Sequence, residues 1–236
     1  AEASEVVVTM LADDPASEAV HTGPDGLFAA GGGARLFVEM GTMSPDHIRH
    51  LAEIAPPGVT VIDAPVSGAT QAAEAAQLMI MVGADKETAA PAMPLFEAMG
   101  RKTICLGTTG AGAVMKLAVN SMIHGLNQTV SEALTLAEAA GIAPEAAFDA
   151  IEASAACAPM LKYRRPLYLD EAANPVTFTV ALARKDMEVT EALARKVGVA
   201  MPQGQLNLDT LKKAEAQGYG ARDMASILNF MREGNK

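Results

Sequence analysis

Lys116 and Asn120 stand four residues apart within residues 110–141 (GAGAVMKLAVNSMIHGLNQTVSEALTLAEAAG), a stretch that otherwise reads as one long apolar helix. Val114, Met115, Leu117, Ala118, Val119, Met122 and Ile123 surround the pair on nearly every helical face. A helix that is apolar all round is normally buried. An ammonium and an amide in such surroundings cost several kcal/mol, roughly, unless each finds a polar partner. Spacing i, i+4 sets both side chains on one face, from which they can converge on a small anion or a carbonyl. His124, one further step along, extends the polar row. A half-exposed helix whose lysine stem snorkels to water has the same pattern, and this segment alone is compatible with both.

A second chemical element is D-A-P-V-S-G-A-T, residues 63–70, at the carboxyl end of a strand-like run. Ligands in open α/β sheets bind at such ends. Ser67 supplies a hydroxyl, and Gly68 with the following backbone amides supplies N–H donors at the start of a short helix over 69–76, which together suit a carboxylate. The same residues also make an ordinary turn with a helix cap, and spacing alone favours the turn.

The elements that must position these groups change character near Gly110. Before it, short β-rich runs at 6–11, 36–39, 59–63, 78–82 and 103–106 alternate with helical patterns, which reads as βα units building a mostly parallel sheet. Asp14 with Pro15 opens one intervening helix, and Ser44, Pro45 and Asp46 open another. Beyond Gly110 strand signals vanish and Ala, Leu, Glu, Lys and Met recur in helical periods, punctuated by Pro144, Pro159, Pro166, Pro175 and Pro202. The expected fold is therefore a partial α/β domain over 1–109 followed by an all-helical domain over 110–236.

Half of the 236 residues are hydrophobic, enough to bury a real core, and the 14 methionines read mainly as core filling. A net charge of −10 and a pI near 4.9 argue against a nucleic-acid or anionic-membrane surface, because phosphates would be repelled. Cys105 and Cys157 are too few for a disulfide scaffold and fit a reducing cytoplasm; neither has a metal-ligand partner at a useful spacing, so no metal is expected. No run of eighteen apolar residues occurs and the first residues lack a basic n-region, so neither membrane anchoring nor export is expected.

An open sheet beside a polar helix suggests a nucleotide cleft, yet no glycine group fits the dinucleotide fingerprint of a strand, G-x-G-x-x-G and a helix. Gly31, Gly32 and Gly33 precede a strand and read as a loop before Leu36, while Gly107, Gly110 and Gly112 are spaced G-x-x-G-x-G and let the backbone turn into the Lys116 helix. The chain also starts at once on a strand-like run, as though upstream elements were cut away or not counted.

In order, D-A-P-V-S-G (63–68), I-M-V-G (80–83), G-x-x-G-A-G-x-x-x-K-L-x-x-N (107–120) and F-T-V-A-L-A-R-K-D (178–186) resemble the β-hydroxyacid dehydrogenases, the group of 3-hydroxyisobutyrate dehydrogenase and tartronate semialdehyde reductase. The resemblance covers essentially the whole chain. It implies a partial Rossmann-type domain, lacking the G-x-G-x-x-G segment, and an all-helical domain that mediates dimer or tetramer assembly. It implies an NAD- or NADP-dependent oxidoreductase acting on a small carboxylate substrate, a β-hydroxy acid or its semialdehyde. Lys116 matches the catalytic lysine, which suits proton transfer if apolar surroundings depress its pKa. Asn120 matches the substrate-binding asparagine, and Ser67, Gly68 and Ala69 match the loop that grips the substrate carboxylate. Where the family usually carries a second glycine this chain has Ala69, which alters close backbone approach and substrate choice with it. Cofactor contacts carried over are Leu11, Ala12, Thr42, Phe178 and Lys185; each also has an ordinary reading, as strand end, turn former, packing aromatic or solvated charge pair. Two other readings stand beside this one. The fragment is a non-catalytic helical assembly module that holds the dinucleotide weakly or not at all, or it is a semialdehyde or imine reductase of the same superfamily. Imine reductases commonly lack the lysine, so Lys116 argues against that last reading.

Overall fold

The structure, a computed structural model, describes residues 3–29 and 33–234; Gly31 and Gly32 of the glycine run lie outside them. The chain divides into two compact units, residues 1–118 and 119–236.

In the first unit β1 (Val6–Thr9), β2 (Leu36–Glu39) and β3 (Thr60–Asp63) form a parallel sheet in that order, with Val6 opposite Leu36 and Leu36 opposite Thr60. Parallel strands are buried on both faces, and β2 accordingly has no exposed residue. A second sheet holds β4 (Val66–Ser67), β5 (Leu78–Val82) and β6 (Gly100–Cys105), with β5 and β6 parallel and the two-residue β4 antiparallel to β5. Sequence reading misses β4, because two residues between Pro65 and Gly68 carry no period. It also starts β6 three residues late, because Arg101 and Lys102 are exposed charges, as befits an edge strand. Val38, Ile62, Ile80, Val82 and Phe96 of α5 (Met93–Met99) are buried together between the strands and their helices; α3 (Ala69–Glu74) and α4 (Lys86–Ala89) are short connectors.

Local capping fixes where the first helices begin. The cap of α1 (Asp14–Thr22) is Asp13, which accepts from Ala16 N at 2.9 Å, one residue before the expected opening at Asp14. Asp14 instead accepts from Ser44 N at 2.9 Å and Ser44 Oγ at 2.6 Å. Ser44 in turn caps α2 (Pro45–Ile54) by accepting from His47 N at 3.1 Å, so the starts of two helices are joined.

The 29-residue α6 (Ala111–Ala139) runs from the first unit into the second, which also holds α7 (Pro144–Ala153), α8 (Pro159–Leu169), α9 (Val180–Val197), α10 (Pro202–Ala214) and α11 (Ile227–Gly234). Pro166, expected as a break, lies inside α8. Leu134, Phe148, Met187, Leu208 and Leu228 form the centre of this core. The buried Arg164–Asp223 pair braces it. Asp223 also accepts from Thr177 N (2.9 Å), Thr177 Oγ1 (3.1 Å), Phe178 N (3.2 Å) and Ala225 N (2.9 Å). Removing one partner from such a pair costs roughly 3–5 kcal/mol.

The expectation that α6 is buried all round because it is apolar is corrected. Met122 is 67% and Leu136 73% exposed, whereas Asn120, His124, Asn127 and Ser131 are buried. Hydrogen bonding decides this orientation. Asn127 donates to Met224 O at 2.9 Å and accepts from Tyr168 OH at 2.6 Å, and Ser131 donates to Asn127 O at 2.7 Å.

Candidate active site

Ser67, Gly68 and Ala69, the carboxyl ends of β1 and β2, and Lys116 all belong to the first unit. Asp63 ends β3 and is 1% exposed. Its Oδ1 accepts from Gly110 N at 2.7 Å and its Oδ2 from Ala113 N at 2.6 Å, so it caps the first turn of α6 from far away in the chain. Burial pushes the Asp63 carboxyl above the ordinary aspartate range, opposed by those two amides and by the Arg49 guanidinium. Lys116, one turn beyond Ala113, is half-buried. From Asp63 the chain runs through Ala64 and Pro65 into β4, leaving Ser67 and Gly68 half-buried and Ala69 exposed. Gly68 has φ +139° and Ala69 φ +58°, two successive residues in territory that L side chains avoid.

Leu11, Ala12 and Thr42 lie just past the carboxyl ends of β1 and β2. Glu39, fully buried, accepts from Thr9 Oγ1 and Ser17 Oγ at 2.9 Å each and from Gly41 N at 3.0 Å, which pins the 40–43 turn. A Cβ on Gly41 would fall 2.5 Å from Leu11 O, so the two loops meet backbone to backbone. Leu11 and Thr42 are left half-buried and Ala12 exposed. Ligands in open α/β sheets bind outside the carboxyl ends of the strands, which is where Leu11, Ala12 and Thr42 stand.

In the second unit Asn120 donates from Nδ2 to Asp186 Oδ2 at 2.6 Å, and Lys185 Nζ lies 2.9 Å from Asp186 Oδ1. Asp186 is 1% exposed, so the ordinary reading of Lys185 and Asp186 as a solvated pair does not describe them. Phe178 packs its ring 5.9 Å from that of the buried His124. Asn120 thus joins Lys185 through a shared carboxylate, and along α6 it stands one turn from Lys116, on the same face.

Sequence reasoning missed Asp63, Glu39 and Asp186 as organising groups. Each ends or lines an apolar run, where a lone acid needs partners if it is buried; that is the only signal they give. Chemically, the set offers a lysine amine for proton transfer, a hydroxyl with backbone amides for an anion, and a strand-end platform. Among the described residues no group of three or more His, Cys, Asp or Glu is arranged to hold a metal, and no helix is long and apolar enough to cross a membrane.

Comparison with known proteins gives a consistent result over both units. The family described as the NAD binding domain of 6-phosphogluconate dehydrogenase matches residues 1–107, and that described as NAD-binding of NADP-dependent 3-hydroxyisobutyrate dehydrogenase matches residues 110–231. The chain is 34% identical to a 3-hydroxyisobutyrate dehydrogenase of Pseudomonas aeruginosa, covering 98% of this chain and 80% of that protein. It is 29% identical to a 2-(hydroxymethyl)glutarate dehydrogenase of Eubacterium barkeri, covering 97% and 76%. Its structure is similar to that of Mycobacterium tuberculosis 3-hydroxyisobutyrate dehydrogenase with L-serine, at a TM-score of 0.83 and 28% identity over 98% of this chain and 80% of that one.

Proposed function

Because the chain belongs to the NAD(P)-dependent β-hydroxyacid dehydrogenase family, we propose that it interconverts a small β-hydroxy acid and its semialdehyde, with Lys116 as general acid and base. The observation that carries the reading is the buried Asn120, held at 2.6 Å by Asp186 and standing four residues along α6 from Lys116. The molecules named with the three relatives support the substrate class: 3-hydroxyisobutyrate, 2-(hydroxymethyl)glutarate and L-serine each carry a CH2OH on the carbon next to a carboxylate.

In this reading the Ser67 hydroxyl and the amides of Gly68 and Ala69 hold the substrate carboxylate, and Asn120 binds the oxygen at the reacting carbon. Lys116 donates a proton from its ammonium to the carbonyl oxygen during reduction, and its amine takes that proton back during alcohol oxidation. The nicotinamide, when bound, supplies or accepts hydride at the carbinol carbon. Leu11, Ala12, Thr42, Phe178 and Lys185 hold the dinucleotide, so the protein's own work is chiefly positioning. The 236 residues contain no G-x-G-x-x-G turn, and by themselves they hold the dinucleotide weakly. Domains of 1–109 and 110–236, a cytoplasmic setting suited to free Cys105 and Cys157, and assembly into a dimer or tetramer through the exposed Met122 and Leu136 face of α6 complete the reading.

Lys116→Met in the native enzyme tests it. Turnover falls by about 10²–10⁴-fold while circular dichroism and, by sedimentation, the dimer or tetramer are retained. A variant that keeps turnover within a factor of about ten, less than a general acid contributes, removes Lys116 from the chemistry.

A further inference from the structure

We propose that Asp63 is a positioning residue: its carboxylate clamps the first turn of α6 to the strand that continues into the Ser67–Gly68 loop, and so sets where Lys116 stands against that loop. The inference rests on the roles given above to Lys116 and Ser67.

A helix leaves its first N–H groups without partners, and the usual remedy is a side chain at the residue before the helix. The chain uses that remedy elsewhere, with Asp13 for α1 and Ser44 for α2. At α6 the preceding residue is Gly110, which has no side chain, and the acceptor comes instead from 47 and 50 residues away. A surface cap would have been cheaper. Asp63 is 1% exposed, and burial works against its charge.

Both sides of the carboxylate are tied down by hydrogen bonds and close packing. Asp63 O accepts from Gly83 N at 2.7 Å and Pro65 O from Met81 N at 2.9 Å, Val66 pairs with Ile80 and Ser67 with Met79, and Ala64 N donates to Glu39 O of β2 at 2.8 Å, so the run from Asp63 to Ser67 is tied to its neighbouring strands. On the helix side, the Ala113 amide bound by Oδ2 lies three residues before Lys116, on the same face. Gly83 and Gly112 close around the carboxylate with no room for a side chain: a Cβ on Gly112 would fall 2.8 Å from Asp63 Oδ2 and nearer still to Met81 O, and one on Gly83 would overlap Oδ1. Arg49 is the charged group beside the junction, with its Nε 3.3 Å from where a Cβ on Gly110 would lie.

Asp63→Asn keeps the size and puts an amide N–H against one of the two helix amides. In the native enzyme the expected results are amide exchange at Gly110 and Ala113 faster by about tenfold or more, with amides beyond residue 125 unchanged, and kcat lower by about 10–100-fold. The loss falls on kcat, with KM for the carboxylate substrate changed by less than about threefold, because the Ser67–Gly68 loop keeps its register on β5. A variant that is only partly folded speeds exchange beyond residue 125 as well, which loss of the clamp does not. Unchanged exchange at the two amides overturns the clamp; faster exchange with wild-type kcat overturns the positioning role. If Asp63→Asn does not fold, the wild type decides: the clamp requires Gly110 and Ala113 to be protected, and exchange at the rate of an uncapped helix start refutes it. Retained turnover in Lys116→Met defeats the underlying reading, whereas unchanged exchange in Asp63→Asn beside an inactive Lys116→Met defeats the clamp alone.

Discussion

Ala69 holds φ at +58° as the first residue of α3, on an exposed stretch. The left-handed region brings an L residue's Cβ against its own carbonyl, at roughly 1–2 kcal/mol. Glycine avoids that contact, while its unfolded chain is freer by roughly 0.4–1 kcal/mol. Ala69→Gly is therefore expected to stabilise the protein by about 0.5–1 kcal/mol. For a chain of this length that raises the unfolding midpoint by about 1–4 °C. Thermal and urea unfolding followed by circular dichroism read the change, and an unaltered urea slope keeps the comparison clean. Ala73→Gly, also exposed and inside the same helix, is the control of opposite sign, expected to lose about 1 kcal/mol. A midpoint that falls in Ala69→Gly, or moves the same way in both variants, refutes the argument that backbone strain at Ala69 is the governing effect.

His47 is buried, and its Nε2 has no hydrogen-bond partner among the described residues. Burial lowers its pKa below 6.5, outweighing the opposing fields of Asp14, Glu18 and Glu39. The unfolded chain therefore takes up this proton first, so stability from neutral His47 is present above the unfolded pKa and is lost as pH falls toward the depressed folded value. His47→Gln is expected to flatten the pH dependence of the unfolding midpoint between about pH 7 and 5; parallel curves for the two proteins would exclude the histidine as its source. Titrating the 236-residue chain with NAD(H) and NADP(H) in a thermal-shift assay tests the weak hold on dinucleotide. No shift is expected at micromolar ligand, and a clear stabilisation there means the strand-end loops suffice alone.

Much of the architecture was legible along the chain because its causes are local. β2 and β5 occupy the residues that their short apolar runs mark out, and Ser44 with Pro45 opens α2 where cap chemistry puts it. The four-residue spacing of Lys116 and Asn120 is a property of any α-helix and needed no neighbours to define a face. Tertiary structure alone decided which side of α6 faces inward, since Asn127 and Asn120 find partners 97 and 66 residues away and outbid Met122 and Leu136 for the interior. It also made Asp63 a helix cap, Asp186 a bridge between Asn120 and Lys185, and Glu39 the pin of the 40–43 turn. A carboxylate has the same composition whether it meets water or two distant amides. Only the closed chain brings those amides within 3 Å and excludes the water that would otherwise compete for them.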